Sequence, residues 1–390
     1  MNSHVYWHWP TFFMYILMGV LLACACNANN RYFLRAGVRY KLFNRRFIGV
    51  FIVWVFLGVF RLVDGYHGGT DTPSYILEFE NAFNPNYYSE GDIAFQFLKM
   101  AVRYISSDYH VFFFVIYGIW MTVYLLFIKT FTTPRASTIP LVLLPYLFYV
   151  GFSSMRSNMG FSWLLLSLVC LFYNKYLLSI ITGTFACFTH VTMMMYAPVL
   201  LFYFFFRNKN IKFIYAVGGI ILFYCFGIVI QGSFLAGSFA FLQSFGSGVY
   251  EDYVAHNSDK TILDSYVIYF PSFAIGFAIL VLWKPLLIYI NATSPLNKGL
   301  LKALLLICLY DAFMAPVAST LGVYRSYEYL MLPRLLLWGV MIDVVRKYFR
   351  KIPSTLINTM SFIVFVVWIW GRYKGMYESS QLMPYILDLF

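Results

Sequence analysis

Charge is what this sequence has least of. Only 11% of its 390 residues are Asp, Glu, Lys or Arg, whereas 61% are hydrophobic. Soluble domains run at about a quarter charged and about half apolar, so water cannot be the solvent for most of this chain. No polar stretch is long enough for a soluble domain, and residues 1–390 read as a single transmembrane domain. Also missing are a nucleotide-binding glycine loop, a His-Glu-x-x-His pair and any cysteine cluster. The six cysteines (Cys24, Cys26, Cys170, Cys187, Cys225 and Cys308) lie in or at the ends of apolar runs. That is neither a disulfide framework nor metal-ligand spacing, so no cofactor and no metal are expected. Leu21-Leu22-Ala23-Cys24 loosely resembles a lipoprotein cleavage site, yet no Lys or Arg precedes it, as a signal peptide would require. The positive charge follows instead, from Arg31 to Arg46. The first helix is therefore expected to stay, with its N-terminus outside.

What is present is a series of apolar runs with cations between them. The formal charge of +12 does not suggest nucleic acid, because most of the basic residues sit in short loops, where they set orientation. A span needs about 20 apolar residues. Clear runs occupy 9–26, 47–63, 110–130, 138–155, 157–173, 211–230, 263–290, 298–321, 329–345 and 354–371. The stretch 176–206 is long for one span and short for two. Asn174-Lys175 precedes it and Arg207-Asn208-Lys209 follows, which predicts a hairpin of two short helices with its turn near His190, outside. An all-α polytopic protein of about 12 transmembrane helices results, with both termini outside. Most acidic residues then face outward; Asp343 lies at the inner face and Asp311 falls within a span.

Two outer loops are long, 64–92 and 231–262. After the first, Asp92, Gln96, Lys99 and Arg103 fall at i, i+4, i+7 and i+11, a polar stripe on an otherwise apolar helix. Residues 92–105 are too short to cross and are expected as an amphipathic helix lying in the membrane surface.

Under this topology, five polar elements far apart in sequence reach one membrane face. They are Gly68-Gly69-Thr70-Asp71, Glu90, Ser153-Ser154-Met155-Arg156, Thr189-His190 and Tyr324-Arg325-Ser326-Tyr327-Glu328. Ionisable groups at membrane depth tend to face a cavity and serve a site. Arg156 is the one cation in the run 136–174; it reads either as an arginine snorkelling to the interface or as an anion site, since a guanidinium offers a fork of donors matched to phosphate oxygens. Arg325 repeats the logic, with Glu328 as a simple alternative partner, and Arg334 lies one to two turns into a span, where it needs a partner. His190 is either a packing residue or a group able to take a proton near neutral pH. Asp71 and Glu90 are competing bases or members of an acidic solvated loop, and Asp311 is a mid-span carboxylate that could lock helices together.

These residues resemble a family. Gly69-Thr70-Asp71-Thr72 with Tyr75, then Glu90-Gly91, Arg156 entering a span, and His190 in a short hairpin are similar to the EpsG-like branch of the Wzy polysaccharide polymerases. The similarity runs through residues 55–206, with Tyr324–Tyr327 fitting more loosely; Arg156-Ser157 stands where such proteins more often have Arg-Gln. The resemblance implies a GT-C-like glycosyltransferase of the bacterial inner membrane, with its active site facing the periplasm. It implies polymerisation of O-antigen, capsule or exopolysaccharide repeat units, donor and acceptor both carried on undecaprenyl diphosphate, with a chain-length regulator as a further partner. Arg156, Arg325 and Arg334 would then hold the departing diphosphate, and His190, Asp71 or Glu90 would take the acceptor's proton. Tyr75, Tyr87, Tyr88, Tyr253 and Tyr327 would meet glycan, and Lys99 and Arg103 would meet lipid or glycan on the helix covering the lateral opening.

Other readings remain. A flippase or transporter would need polar residues on both faces and usually shows repeats; here the polar positions are one-sided and no repeat is found. An O-antigen ligase is barely separable by sequence. A membrane O-acyltransferase would draw its donor from the cytoplasm, and a purely structural membrane protein would not need arginines at lipid depth.

Overall fold

The apolar runs become helices throughout the part of the chain that the computed structural model describes. That part comprises residues 8–36, 45–64, 67–88, 92–131, 151–152, 154–232, 262–320, 329–349, 351–353 and, in short pieces, 355–388. The expected sites Glu90, Tyr253, Arg325 and Tyr327, the span 138–155 in all but its last residues, and most of the span 354–371 lie outside the described residues.

In chain order the helices are α1 Trp9–Ala36, α2 Arg45–Val59, α3 Thr72–Glu80, α4 Ile93–Ile105 and α5 Tyr109–Phe131. They continue with α6 Met155–Phe172, α7 Tyr176–Thr189, α8 Pro198–Phe206, α9 Phe213–Gly232 and α10 Ile262–Val281. The last are α11 Trp283–Asn291, α12 Pro295–Thr320 and α13 Met331–Tyr348. Among the described residues, four helical stretches are long and apolar enough to cross a membrane: 9–26, 109–131, 155–172 and 297–317. A fifth is the pair α10–α11, bent by 75° at Leu282. As a straight rod, the 28 residues expected at 263–290 would run about 42 Å, against a hydrocarbon core of about 30 Å, and the bend shortens that reach. The chain is an all-helical membrane protein.

α12 runs through the centre. Leu304, Leu306, Cys308 and Leu309 are fully buried in it. Its neighbours approach through small residues: Gly219 and Gly227 of α9 face Phe313 and Pro316, and Gly276 of α10 faces Ala312. With lipid as solvent there is little hydrophobic force between helices, so close backbone packing supplies the association.

α2 ends earlier than the run 47–63 suggests, and Arg61 is the reason. Its buried guanidinium donates to the carbonyl oxygens of Gly58, Gly68 (3.0 Å) and Phe152 (3.2 Å). Its face lies over the rings of Phe113, Tyr117 and Phe152, at 4.5 to 5.2 Å from their centroids. The Thr72 hydroxyl binds the same Gly68 and Phe152 carbonyls at 2.8 and 2.7 Å. Gly68 and Gly69 have φ of +87° and +107°, and a Cβ on Gly68 would stand 2.4 Å from the Leu62 carbonyl oxygen. Only glycine meets both demands. The Gly68–Thr72 motif thus folds around Arg61 and launches α3. The C-terminal residues close the same corner: Leu387 bridges to Arg61, and the Tyr385 hydroxyl donates to the Leu57 carbonyl.

The stretch 176–206 is a hairpin. α7 stops at Thr189, His190 is extended at φ −157° and ψ 120°, and a 3-10 turn Val191–Met195 leads to α8. The two ends meet: Arg207 donates to the Asn174 side-chain oxygen (2.8 Å) and to the Tyr176 hydroxyl (2.7 Å). α7, at 14 residues, is about 21 Å long, short of a hydrocarbon core of about 30 Å. Single cysteines replacing Asn174 and Lys209 should respond alike to a membrane-impermeant maleimide, and opposite to one replacing Thr70. Unlike labelling at 174 and 209 would refute the hairpin.

Candidate active site

α4 carries the polar stripe, and the stripe points inward. Asp92, Gln96 and Lys99 are buried, whereas Phe97 and Ile105 are 66% and 81% exposed. This is the inverse of a water-facing amphipathic helix, as expected where lipid lies outside and the polar groups find partners inside. The partners are α3 and the hairpin. Gln96 donates to the Ala82 carbonyl at 2.8 Å, and the Lys99 ammonium is 2.6 Å from the Glu78 carboxylate. Burial pulls the Lys99 ammonium below the usual lysine range; Glu78 opposes this, while Arg156 and Asp92 are near enough to act on it too.

Asp92, the residue just before α4, is the centre of the site. One oxygen of its carboxylate lies 3.2 Å from the Arg156 guanidinium and the other 3.3 Å from Nδ1 of His190. Three distant segments therefore converge on one buried carboxylate. The approach of His190 depends on α6 and the hairpin packing without a side chain between them. Gly160, one turn after Arg156 on α6, has space so tight that a Cβ would meet Met193 at 2.9 Å and His190 at 3.2 Å. Tyr75 of α3 lies beneath Arg156, with its ring centroid 5.3 Å from the guanidinium carbon, and it also hydrogen bonds to Arg156. Tyr75 is itself buried against Phe95.

Of the residues expected from sequence, Arg156, His190, Tyr75 and Lys99 are brought together. Asp71 stands at the start of α3, one turn before Tyr75. Arg103, near the far end of α4, donates to the Ser107 carbonyl at 2.7 Å and lies over Phe79. Arg334 is tied elsewhere: it is buried on α13, 3.3 Å from the Asp311 carboxylate of α12 and 2.8 Å from the Ser272 hydroxyl of α10. Tyr88 is exposed and Tyr87 half-buried. Two site residues escaped the sequence reading: Asp92, seen only as part of a stripe, and Glu78. The available signal was that Glu78 lies within, and Asp92 opens, a short helix that must bury one face. Among the described residues, no group of three or more His, Cys, Asp and Glu is placed to hold a metal ion.

The arrangement can do two things chemically. A buried carboxylate on Nδ1 orients an imidazole and leaves Nε2 to accept a proton. A guanidinium held beside it offers a fixed positive charge to an anionic ligand. A family model described as the EpsG family matches residues 46–387. The chain belongs to the EpsG family. No curated protein and no solved structure matches it. This EpsG-family chain is a membrane protein of polysaccharide biosynthesis, and the matched span includes every member of the Asp92 cluster.

The Lys99–Glu78 pair yields a stability prediction. Glu78→Ala should leave a buried ammonium without its partner, costing about 3–5 kcal/mol, and should lower the thermal unfolding temperature in detergent. Lys99→Met combined with Glu78→Gln removes both charges and should recover most of the loss. A double variant as unstable as the single one would mean that the pair does not interact.

Proposed function

We propose that this protein is a glycosyltransferase that polymerises undecaprenyl-diphosphate-linked repeat units at the outer face of the bacterial inner membrane. The observation that carries the reading is the shared Asp92 carboxylate, which sets a cation and an imidazole side by side under a lipid-facing helix. In this reading the chain crosses the membrane about twelve times in a GT-C-like fold, with the Asp92 cluster on the periplasmic side. Arg325 remains a further candidate for the diphosphate, and Asp71 and Glu90 alternative bases.

The reaction follows from the two groups. The acceptor hydroxyl attacks the anomeric carbon of the donor, and the bond from that carbon to the diphosphate oxygen breaks. Negative charge builds on the departing polyprenyl diphosphate, where Arg156 stabilises it. The acceptor's proton passes to Nε2 of His190, and Asp92 stabilises the imidazolium that forms. Because Asp92 also pairs with Arg156, the incoming diphosphate competes with this carboxylate for the guanidinium. Lys99, already paired with Glu78, supports the field without having to touch substrate.

Surface glycan length in cells lacking the protein tests the assignment. Single-repeat caps with intact ligation are expected of a polymerase. Loss of all surface glycan would indicate a flippase or an earlier step, and long unattached polymer a ligase. On restoring the gene, Arg156→Ala should abolish polymerisation by removing a charge-assisted contact worth about 1.5–3 kcal/mol. Arg156→Lys should restore only part of it, since an ammonium lacks the fork, with membrane abundance normal in both. Normal chain length in Arg156→Ala would remove Arg156 from the mechanism. His190→Ala should shorten the polymer across pH 6–8; unchanged length would leave His190 a structural residue.

A further inference from the structure

The far ends of α6 and α7 hold a second polar site. Arg156 and Phe172 are at opposite ends of α6, about 24 Å apart along the helix. Beside Phe172 a cavity of about 260 Å³ opens between α6, the ends of the hairpin and the first turns of α12. Arg207 and Lys302 line it, together with Asn174, Asn208, Tyr203 and Phe172.

Two features separate this cavity from an ordinary cationic loop. First, its cations come from elements far apart in sequence and line one hollow, and Lys298, one turn before Lys302 on α12, adds a third positive charge on the same helix face. Like charges four residues apart on a helix repel. Among the described residues, no carboxylate lies within ion-pair distance of Arg207, Lys298 or Lys302. Second, Arg207 is held in place: it donates to Asn174 and the Tyr176 hydroxyl, and it stacks over Tyr176 and Phe204 at 5.4 and 5.2 Å. A cation needed only for orientation can remain mobile in water, whereas a preorganised guanidinium beside a lysine and two amides matches the donors that a phosphate group takes up.

We propose that this cavity binds a phosphate anion, supplied either as the headgroup of an anionic phospholipid or as free phosphate. The cavity opens at the end of the bundle that the proposed topology makes cytoplasmic, where basic pockets between spans meet lipid headgroups. Its aromatic wall of Phe172 and Tyr203 suits the boundary between headgroup and chain.

The full-length protein in phosphatidylcholine nanodiscs provides the test, with thermal unfolding as the readout. One arm adds phosphatidylglycerol to the bilayer, and another adds inorganic phosphate to phosphatidylcholine alone. Stabilisation in the first arm only identifies the lipid headgroup, and stabilisation in the second identifies free phosphate. Either must weaken by about ten-fold or more in apparent affinity in Arg207→Gln with Lys302→Gln, as expected for losing charge-assisted contacts. Gly299→Leu keeps both charges and fills the cavity, since even a Cβ there reaches 3.7 Å from Phe172. It should abolish the effect as well, and it serves alone if the charge variants do not fold. No stabilisation in either arm, or stabilisation undiminished in the variants, overturns the proposal. The readout is binding alone, so its failure is distinct from failure of the polymerase reading.

Discussion

Asp92 cannot remain charged and buried unless something answers its charge, and the packing of α4 against α6 and the hairpin is arranged to do so. An unpaired carboxylate in a low-dielectric setting costs several kcal/mol. Arg156 from α6 and His190 from the hairpin meet it from two sides. Those contacts seat α4 on the bundle, with its apolar face turned outward and Asp92, Gln96 and Lys99 finding partners inside. Lys99 and Glu78 repeat the device one to two turns further on. Removing Asp92 would therefore cut the contacts that tie the start of α4 to α6 and to the hairpin.

Two other buried cations show how the same constraint is met without a ligand. Among the described residues Arg61 pairs with no carboxylate; it uses backbone carbonyls and three aromatic faces, and the Gly68–Thr72 turn is shaped around it. Arg334 takes the opposite solution and pairs with Asp311 between α12 and α13. Both explain charges at membrane depth through packing. The Asp92 cluster differs because a guanidinium and an imidazole converge on one carboxylate at the start of a helix whose outer face is apolar.

The Gly68–Asp71 motif shows that one sequence feature can serve structure and location together. Its glycines are demanded by positive φ and by the approach of the Leu62 carbonyl, reasons independent of chemistry. Yet the same turn starts α3, which carries Tyr75 under Arg156 and Glu78 beside Lys99. A motif that looks like a site residue set from sequence is here the hinge that sets the site's floor.

Composition alone determined that lipid is the solvent, because so few charges cannot cover so much apolar surface. Periodicity marked α4 as amphipathic, and the flanking cations marked 176–206 as a hairpin; both are local patterns that a helix makes readable at three- to four-residue spacing. Arg156 and His190 stood out for the same reason, as polar residues in apolar runs. The sequence could not show that Asp92 joins them, that Glu78 is the answer to Lys99, or that Arg334 belongs with Asp311. Ion pairs between residues far apart in sequence have no periodic signature. They exist only once helix packing, set by glycines such as Gly160, brings the partners within a few ångströms, and that distance was decided by the tertiary structure alone.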